Sequence, residues 1–368
     1  MQKLVYIFFL LLAAGCKKEQ EAEFYVLPPL AEGVNVMETG AIANGIQDDT
    51  PAFEKAMQIA DSLHLPVIIP AGTYRATIRI PYDNITLSGQ LQPSASFRFG
   101  TRIIGSINCN NKKNITLQQL GVDNSQLKAV AAIIAGDGVD TIPLHHQYKN
   151  ITIIGGGYAD YTHGILCQTG GDISMHRILV KDCYHGIAIR SSNITADSIE
   201  AISCGFTSII IKSAEDKNAI TRNVSVKQVT ITGNSSNPYE RGGMILVQSF
   251  ADNSLTENIE IRDVNSTNGG IAAISIDQSK GKIQQVKVYN CIANRQGDIS
   301  DRACYEVKGG SRILFNSCSS SQARGTAFRC SGNATQVRVE QSFESASGAA
   351  AWQGNFSYLQ LNGVEIIK

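Results

Sequence analysis

From residue 84 onward, apolar and polar residues alternate in short stretches that each follow an asparagine or an aspartate. The stretches begin at Asn84, Asn114, Asn150, Asp172, Asn193, Asn223 and Asn258, with looser copies around Ile283, Ile313 and Val337. A period of two is typical of strands, and recurrence at steps of 21 to 36 residues indicates stacked units. The pattern predicts an all-β fold, a single-stranded right-handed parallel β-helix with one coil per repeat. A leucine-rich repeat is the competing solenoid, but its leucine and asparagine pattern is absent from the sequence.

A second element occurs once per coil and predicts one face of the β-helix. It reads HGILCQ (163–168), HGIAIR (185–190), TSIIIK (207–212), GMILVQ (243–248), AAISID (272–277) and ACYEVK (303–308), and more weakly TAFRCS (326–331). Alternation points the third and fifth residues of each copy into the core. In the first six copies these are Ile165, Cys167, Ile187, Ile189, Ile209, Ile211, Ile245, Val247, Ile274, Ile276, Tyr305 and Val307. The last residue then faces outward and forms a polar column of Gln168, Arg190, Lys212, Gln248, Asp277 and Lys308.

Residues 51–63 are predicted to form a helix that caps the open end of the β-helix. The apolar stripe of this helix is Phe53, Ala56, Met57, Ala60 and Leu63. Thr50 is the expected N-cap, and Pro51 suits the first helical position. Asp48 and Asp49 then lie at the positive end of the helix dipole, so we interpret them as structural and not as a catalytic pair.

Charge and cysteine content narrow the possibilities further. Lys and Arg total 32, as do Asp and Glu, so the chain is not expected to bind nucleic acid. Eight cysteines follow Cys16. Two pairs of them occupy the same coil position in adjacent repeats, namely Cys183 with Cys204 and Cys291 with Cys318. We expect stacked, buried free thiols, with a Cys183–Cys204 disulfide as the alternative.

The first sixteen residues, MQKLVYIFFLLLAAGC, have the charged start and short apolar run of a signal peptide. Their ending, LAAGC, resembles the bacterial lipobox. The resemblance implies that Cys16 is lipidated, that residues 17–33 form a tether, and that the domain at 34–368 is anchored to a membrane. The expected location is the cell envelope at the outer membrane, on its periplasmic or outer surface.

The stretches NVMETGAIANGIQDDTPAFEKAM and LPVIIPAGTYRATIRIPYDNITLSG resemble the start of the pectate-lyase-like β-helix superfamily. This superfamily includes proteins related to glycoside hydrolase family 28, pectate and alginate lyases, epimerases and phage tailspikes. The resemblance implies a polysaccharide partner. The hydrolase signature has N-T-D, D-D, G-H-G and R-I-K along the chain; N-T-D and a D-D after Asp48-Asp49 are absent, and THG at 162–164 and YHG at 184–186 match G-H-G only in part.

The outward column suggests lyase-type chemistry on an acidic, uronate-containing polysaccharide. Such a reaction needs a base that removes the proton next to the carboxylate and a cation that neutralises that carboxylate. Arg190 and Lys212 are the first candidates for both roles, and His163 and His185 are alternative bases. The expected substrate-binding residues are Gln168, Gln248 and Lys308 of the column, with Tyr239 and Arg241 of an inserted loop.

Two other readings remain open at this point. The chain could be a glycoside hydrolase whose carboxylates come from Asp277, Glu306 or Glu240. For Asp277 and Glu306 the simpler role is a salt bridge to Lys308. The chain could also be a non-catalytic glycan-binding or adhesive module. No cofactor is expected; calcium at Asp137, Asp140 or Asp160 is a weaker alternative.

Overall fold

The computed structural model describes residues 32–90, 100–127, 129–138, 142–157, 161–213, 218–233, 244–268, 272–294, 303–322, 325–345 and 351–367. The predicted lipidation site Cys16, most of the tether, and the loop residues Tyr239, Glu240 and Arg241 lie outside these ranges. Within them, no helix is long and apolar enough to span a membrane.

The described residues form one helix and 28 strands, and almost all of the strands pair in parallel in two stacks. The helix is α1 (Thr50–Leu63). The first stack contains β1 (Val34–Asn35), β3 (Val67–Ile68), β5 (Thr86–Ser88), β7 (Thr116–Asp123), β9 (His146–Ile154), β11 (Gly171–Lys181), β13 (Ser192–Ile202), β15 (Ile220–Thr232), β17 (Leu255–Thr267), β19 (Lys282–Tyr289), β20 (Ile292–Asn294), β22 (Gly310–Asn316), β23 (Ser319–Ser321), β25 (Ala334–Ser345) and β27 (Tyr358–Leu361). The second stack contains β2 (Asn44–Asp48), β4 (Gly72–Arg79), β6 (Thr101–Asn108), β8 (Ala131–Ala135), β10 (His163–Cys167), β12 (His185–Ile189), β14 (Thr207–Lys212), β16 (Ile245–Ser249), β18 (Ile274–Gln278), β21 (Ala303–Val307), β24 (Thr326–Cys330) and β26 (Trp352–Gly354). The last strand, β28 (Val364–Ile367), pairs antiparallel with β27.

This arrangement confirms the predicted right-handed parallel β-helix, in which each coil pairs with the next one along the chain. The twelve core positions predicted from the second repeat all lie in one continuous hydrophobic core. Their burial explains the strict alternation of Ile and Val, because only one side of each strand faces the interior.

The asparagine repeat marks a corner of the coil. Residues with positive φ occupy one column there: Asn84, Asn114, His145, Asp172, Asn193, Asn223, Asn258, Gln285, Arg312 and Gln336. Asparagine tolerates this left-handed conformation better than most residues. Its amide also hydrogen bonds to the next coil: the Nδ2 group of Asn114 donates to Oδ1 of Asn84 at 2.8 Å, and that of Asn258 to Oδ1 of Asn223 at 2.7 Å.

The alignment of Asn150 with Asn114 and Asp172 is wrong. His146 pairs with Ile173 and Ile151 with Ile178, so Asn150 lies at a second corner of the coil. That corner contains Gln119, Asn150, Arg177, Ser198, Gln228, Asp263, Asn290, Ser317 and Gln341, all with positive φ. For a similar reason Ile283 is misaligned, because Val286 is the residue that pairs with Ile313.

The predicted helix covers the N-terminal end of the β-helix, and it packs against β1, β3 and β4. Phe53 is fully buried, with its ring 5.6 Å from that of Tyr74. Two details of the prediction are wrong. The N-cap is Asp49, not Thr50, and Oδ1 of Asp49 accepts the backbone N–H of Ile42 at 2.7 Å. Leu63 is 58% exposed because the helix ends there, beyond the covered coil.

All eight cysteines of the β-helix are free and buried, at Cys109, Cys167, Cys183, Cys204, Cys291, Cys304, Cys318 and Cys330. Cys183 and Cys204 follow paired positions of β11 and β13, as predicted for stacked thiols. Burial raises the pKa of Cys109, and likewise that of Cys167, to about 12, so these thiols serve as compact apolar residues.

Candidate functional site

The outer side of strands β10, β12, β14, β16, β18, β21 and β24, here called the site face, carries the polar residues predicted from the second repeat. Arg190 follows Ile189, which pairs with Ile211 just before Lys212. The two cations therefore occupy equivalent positions in adjacent coils. Lys212 pairs in turn with Gln248, and the column continues through Asp277. The predicted column is thus in register along one side of the β-helix.

His163 and His185 lie on the same face, at the beginning of their strands. Strict alternation would turn them inward with Ile165, but the strands bend at their second residue. A Cβ atom at Gly164 would lie 3.2 Å from Sγ of the core residue Cys183, so the glycine, and not the histidine, faces the interior. The two imidazoles are stacked, with ring centroids 5.0 Å apart and planes 8° from parallel.

Both imidazoles are held in the neutral form by their surroundings. Burial, and after it the charges of Arg190 and Lys212, lower the pKa of His163 from 6.5 to about 4. The pKa of His185 lies well below its ordinary value, first because of burial and then because of His163, Lys212 and Arg190. The charges of Arg190 and Lys212 act on the pKa of both imidazoles, so the four side chains are considered together as one candidate site.

The two histidines differ in their hydrogen bonds. Nδ1 of His185 is 2.6 Å from Oγ1 of Thr207, which occupies the equivalent position in the next coil. Nδ1 of His163 is buried and has no partner among the described residues, and the same is true of Nε of Arg190. His185 is therefore fixed by the protein, whereas His163 retains hydrogen-bonding capacity.

An apolar strip runs between the histidines and the polar column. It consists of Leu166, Ala188, Ile210 and Leu246, which point outward and yet are at most 2% exposed. Ala131 packs with them but pairs with His163, so it lies in the histidine column. The strip was not predicted, although the fourth residue of the first four repeat copies (L, A, I, L) is apolar. Such a surface lowers the local dielectric constant and strengthens charge interactions within the cluster.

A ladder of aromatic side chains flanks the histidines and was also missed. The ring of Tyr184 is stacked on Phe206 at 5.4 Å and lies 4.8 Å from that of Tyr161, which is 64% exposed. Tyr184 and Phe206 also contact the edge of His185, at 4.6 and 5.2 Å. The ladder walls the histidine pair on the side away from the polar column.

The predicted carboxylates lie farther along the site face. Glu306 pairs with Ser275 and Asp277 with Gln248, so the two carboxylates occupy different outward positions in adjacent coils, as predicted. Both oxygens of Glu306 lie near cations: Oε2 is 2.7 Å from Nζ of Lys308 and Oε1 is 3.6 Å from Nη1 of Arg329. The simpler expectation, a salt bridge to Lys308, is therefore what the structure shows.

Metal ligands are sparse in the described ranges, where no group of three or more His, Cys, Asp and Glu side chains is placed to hold an ion. Of the aspartates considered for calcium, Asp137 accepts a hydrogen bond from Nδ2 of Asn111 at 2.5 Å. Asp140 and Asp160 lie outside the described residues.

Comparison with known proteins supports the superfamily. Residues 33–209, which include both histidines and Arg190, match the family model "Rhamnogalacturonase A/epimerase, pectate lyase-like". Among curated proteins, no sequence matches the chain.

Several solved structures have a similar fold. The A-module of the mannuronan C-5 epimerase AlgE6 from Azotobacter vinelandii is 13% identical, with a TM-score of 0.61 over 89% of this chain and 98% of that one. An exopolygalacturonase from Thermotoga maritima is 11% identical, with a TM-score of 0.54 over 92% and 93%. The active domain of tailspike protein 2 of bacteriophage CBA120 is 14% identical, with a TM-score of 0.57 over 90% and 52%. At such identities the likeness establishes the fold and not the reaction. Over residues 33–209 the chain is thus similar to the pectate-lyase-like family, and its fold is the right-handed parallel β-helix of these solved structures.

Proposed function

We propose that the protein is a lyase that cleaves a uronate-containing polysaccharide at the cluster of His163, His185, Arg190 and Lys212. The observation that carries the proposal is a pair of stacked, buried imidazoles on the same face as Arg190 and Lys212. Among the solved relatives, the mannuronan epimerase and the exopolygalacturonase are named for reactions on uronate polymers, which supports this substrate class. At the cell envelope, the lipobox-like sequence ending at Cys16 would anchor the enzyme.

The roles follow from charge. Arg190 and Lys212 would bind the uronate carboxylate and stabilise the negative charge that develops when the neighbouring C5 proton leaves. An imidazole would accept that proton, because it is uncharged at neutral pH. The C5–H electron pair then forms the C4=C5 double bond while the C4–O bond breaks, and the departing oxygen takes a proton from the site or from water. Because its Nδ1 is bound to Thr207, His185 would orient the pair, and His163 is the proposed base.

The sequence-based preference for Arg190 or Lys212 as the base is therefore replaced in this proposal by His163. A hydrolase that uses Glu306 is disfavoured, because that carboxylate is buried and both of its oxygens lie near Lys308 and Arg329. An ion-paired carboxylate is a poor proton donor, which a glycoside hydrolase requires.

The test is incubation with pectin, alginate and glycosaminoglycans, in which the absorbance of unsaturated uronate ends is followed. We expect a signal with one substrate class, and a loss of about 100-fold or more in rate for His163→Gln. His176→Gln is the matched control, because His176 lies on the first stack, next to Asp197.

Other outcomes would select the competing functions. New reducing ends without ultraviolet absorbance would indicate a hydrolase. Saturable glycan binding without new ends of either kind would indicate a binding module. Wild-type rates in His163→Gln, Arg190→Ala and Lys212→Ala would remove the proposed site even if lyase activity were present.

A further inference from the structure

A second pair of cations lies on the site face, at β21 and β24. The carboxylate of Glu306 lies between Lys308 and Arg329, and its side chain is only 4% exposed. The side chains of Lys308 and Arg329 remain 26% and 20% exposed. The carboxylate is therefore buried beneath two cations that both reach solvent.

This arrangement holds the two cations in fixed positions. Glu306 neutralises only one of the two cations, and Asp277 lies beside Lys308 in the preceding coil. Nε of Arg329 also donates to Oε1 of Gln353 at 3.1 Å, which fixes the orientation of the guanidinium group. A neighbouring hydroxyl, Oγ of Ser275, is buried and has no partner among the described residues. Fixed cations that remain partly exposed are suited to binding a carboxylate.

The position of this pair relative to the proposed active site is set by the coil register. Lys212 pairs with Gln248 and Gln248 with Asp277. The N–H of Lys308 bonds to the carbonyl of Ile276, which places Lys308 beside Asp277. Three coil steps therefore separate Lys212 from Lys308, or about 14 Å along the axis of the stack.

An acidic polysaccharide carries a carboxylate on each uronate unit, so a chain that lies along the site face can meet both cationic pairs. We propose that Lys308 and Arg329 form a second anion subsite, which binds a uronate roughly three sugar units from the one held by Arg190 and Lys212. This inference rests on the proposed function. It identifies the substrate as an extended polyuronate of at least about four units, and Glu306 as a positioning residue.

The test is calorimetric binding of an oligouronate length series, from disaccharide to hexasaccharide, to the His163→Gln protein, which prevents turnover. We expect affinity to rise by about tenfold or more once the chain can reach Lys308. Lys308→Met should abolish that gain and leave disaccharide affinity unchanged. The double variant Glu306→Gln with Lys308→Met should give the same result. It also removes the buried carboxylate that Lys308→Met alone would leave without its lysine partner. Lys287→Met, at an exposed position of β19, is the control.

The outcomes separate this inference from the proposed function. If disaccharides bind but longer chains bind no better, or if Lys308→Met keeps the gain, the second subsite is wrong. If no oligouronate binds at all, the proposed function fails together with it. An equal loss for every chain length would also contradict the inference, because it would indicate damage to the first site.

Discussion

At the residue scale, the histidine pair shows how a local bend decides chemistry. The sequences HGILCQ and HGIAIR place a glycine after each histidine. Because a Cβ atom at Gly186 would lie 2.8 Å from the core residue Val180, this position has room only for glycine. The inward glycine allows the preceding imidazole to lie on the outer side, on the face that also carries Arg190 and Lys212.

The depressed pKa of His163 predicts a pH-dependent stability. Between its ordinary value of 6.5 and its folded value of about 4, the unfolded chain binds more protons than the folded one. Stability should therefore fall as the pH falls through this window, by about 2 kcal/mol between pH 7 and pH 5 for this residue. His163→Gln should flatten the pH dependence of urea unfolding, whereas His176→Gln should not. An unchanged slope in His163→Gln would show that this imidazole is not neutral at pH 5.

At the element scale, the corners of the coil depend on residues that accept a left-handed backbone. Asn223 has a φ of 56° and links two neighbours: its Nδ2 group donates to Asn193 at 2.8 Å, and its Oδ1 accepts from Asn258 at 2.7 Å. The side chain thus satisfies both a backbone preference and an inter-coil ladder. The same demands at the second corner explain why Asn150 resembled a first-corner residue in the sequence.

We expect Asn223→Ala to lower the free energy of unfolding by about 2 kcal/mol. The alanine side chain cannot make the two ladder hydrogen bonds, and alanine adopts the left-handed backbone conformation less readily than asparagine does. Asn223→Gly should cost about half as much, because glycine adopts this conformation freely. Urea unfolding is the measurement, with Arg222→Ala at the exposed neighbouring position as the control. Equal losses for Ala and Gly would mean that the backbone conformation contributes little.

At the scale of the whole molecule, the β-helix is a one-dimensional stack, so each coil depends on its neighbours. Helix α1 closes the N-terminal end, where Phe53, Ala56, Met57 and Ala60 cover the first coils. A stack of this kind should respond locally when its cap is damaged and should transmit little to its distant coils.

Phe53→Ala should therefore destabilise the first coils by about 3 kcal/mol or more, because it opens a cavity under the cap. Hydrogen exchange followed by mass spectrometry should show faster exchange in β1, β3 and β4 and unchanged exchange in β22 and β24. Phe343→Ala, at a position that is 55% exposed, is the matched control. Uniformly faster exchange throughout the chain would show instead that the β-helix unfolds as a single cooperative unit.

Much of the fold could be predicted because its signals are local. The alternation in HGIAIR, the apolar stripe of residues 51–63 and the asparagine before each strand all report on short-range geometry. The coil phase could not be predicted at Asn150, because both corners of the coil have a left-handed backbone, which asparagine adopts readily at either one. The N-cap was misplaced by one residue: the helix begins at Thr50, and the carboxylate of the cap residue Asp49 binds the backbone of Ile42 and not the helix, a contact that the local sequence does not reveal.

The order of residues along the chain was sufficient to predict the β-helix, its cap, the outward column from Gln168 to Lys308, and the two repeats that begin with histidine. The stacking of the imidazoles, the burial of the apolar strip and the position of Glu306 between two cations became visible only in the folded chain. This difference arises because alternation fixes which side of a strand a residue faces. The distance, burial and pKa of a side chain depend on coils that are remote in sequence and adjacent in space.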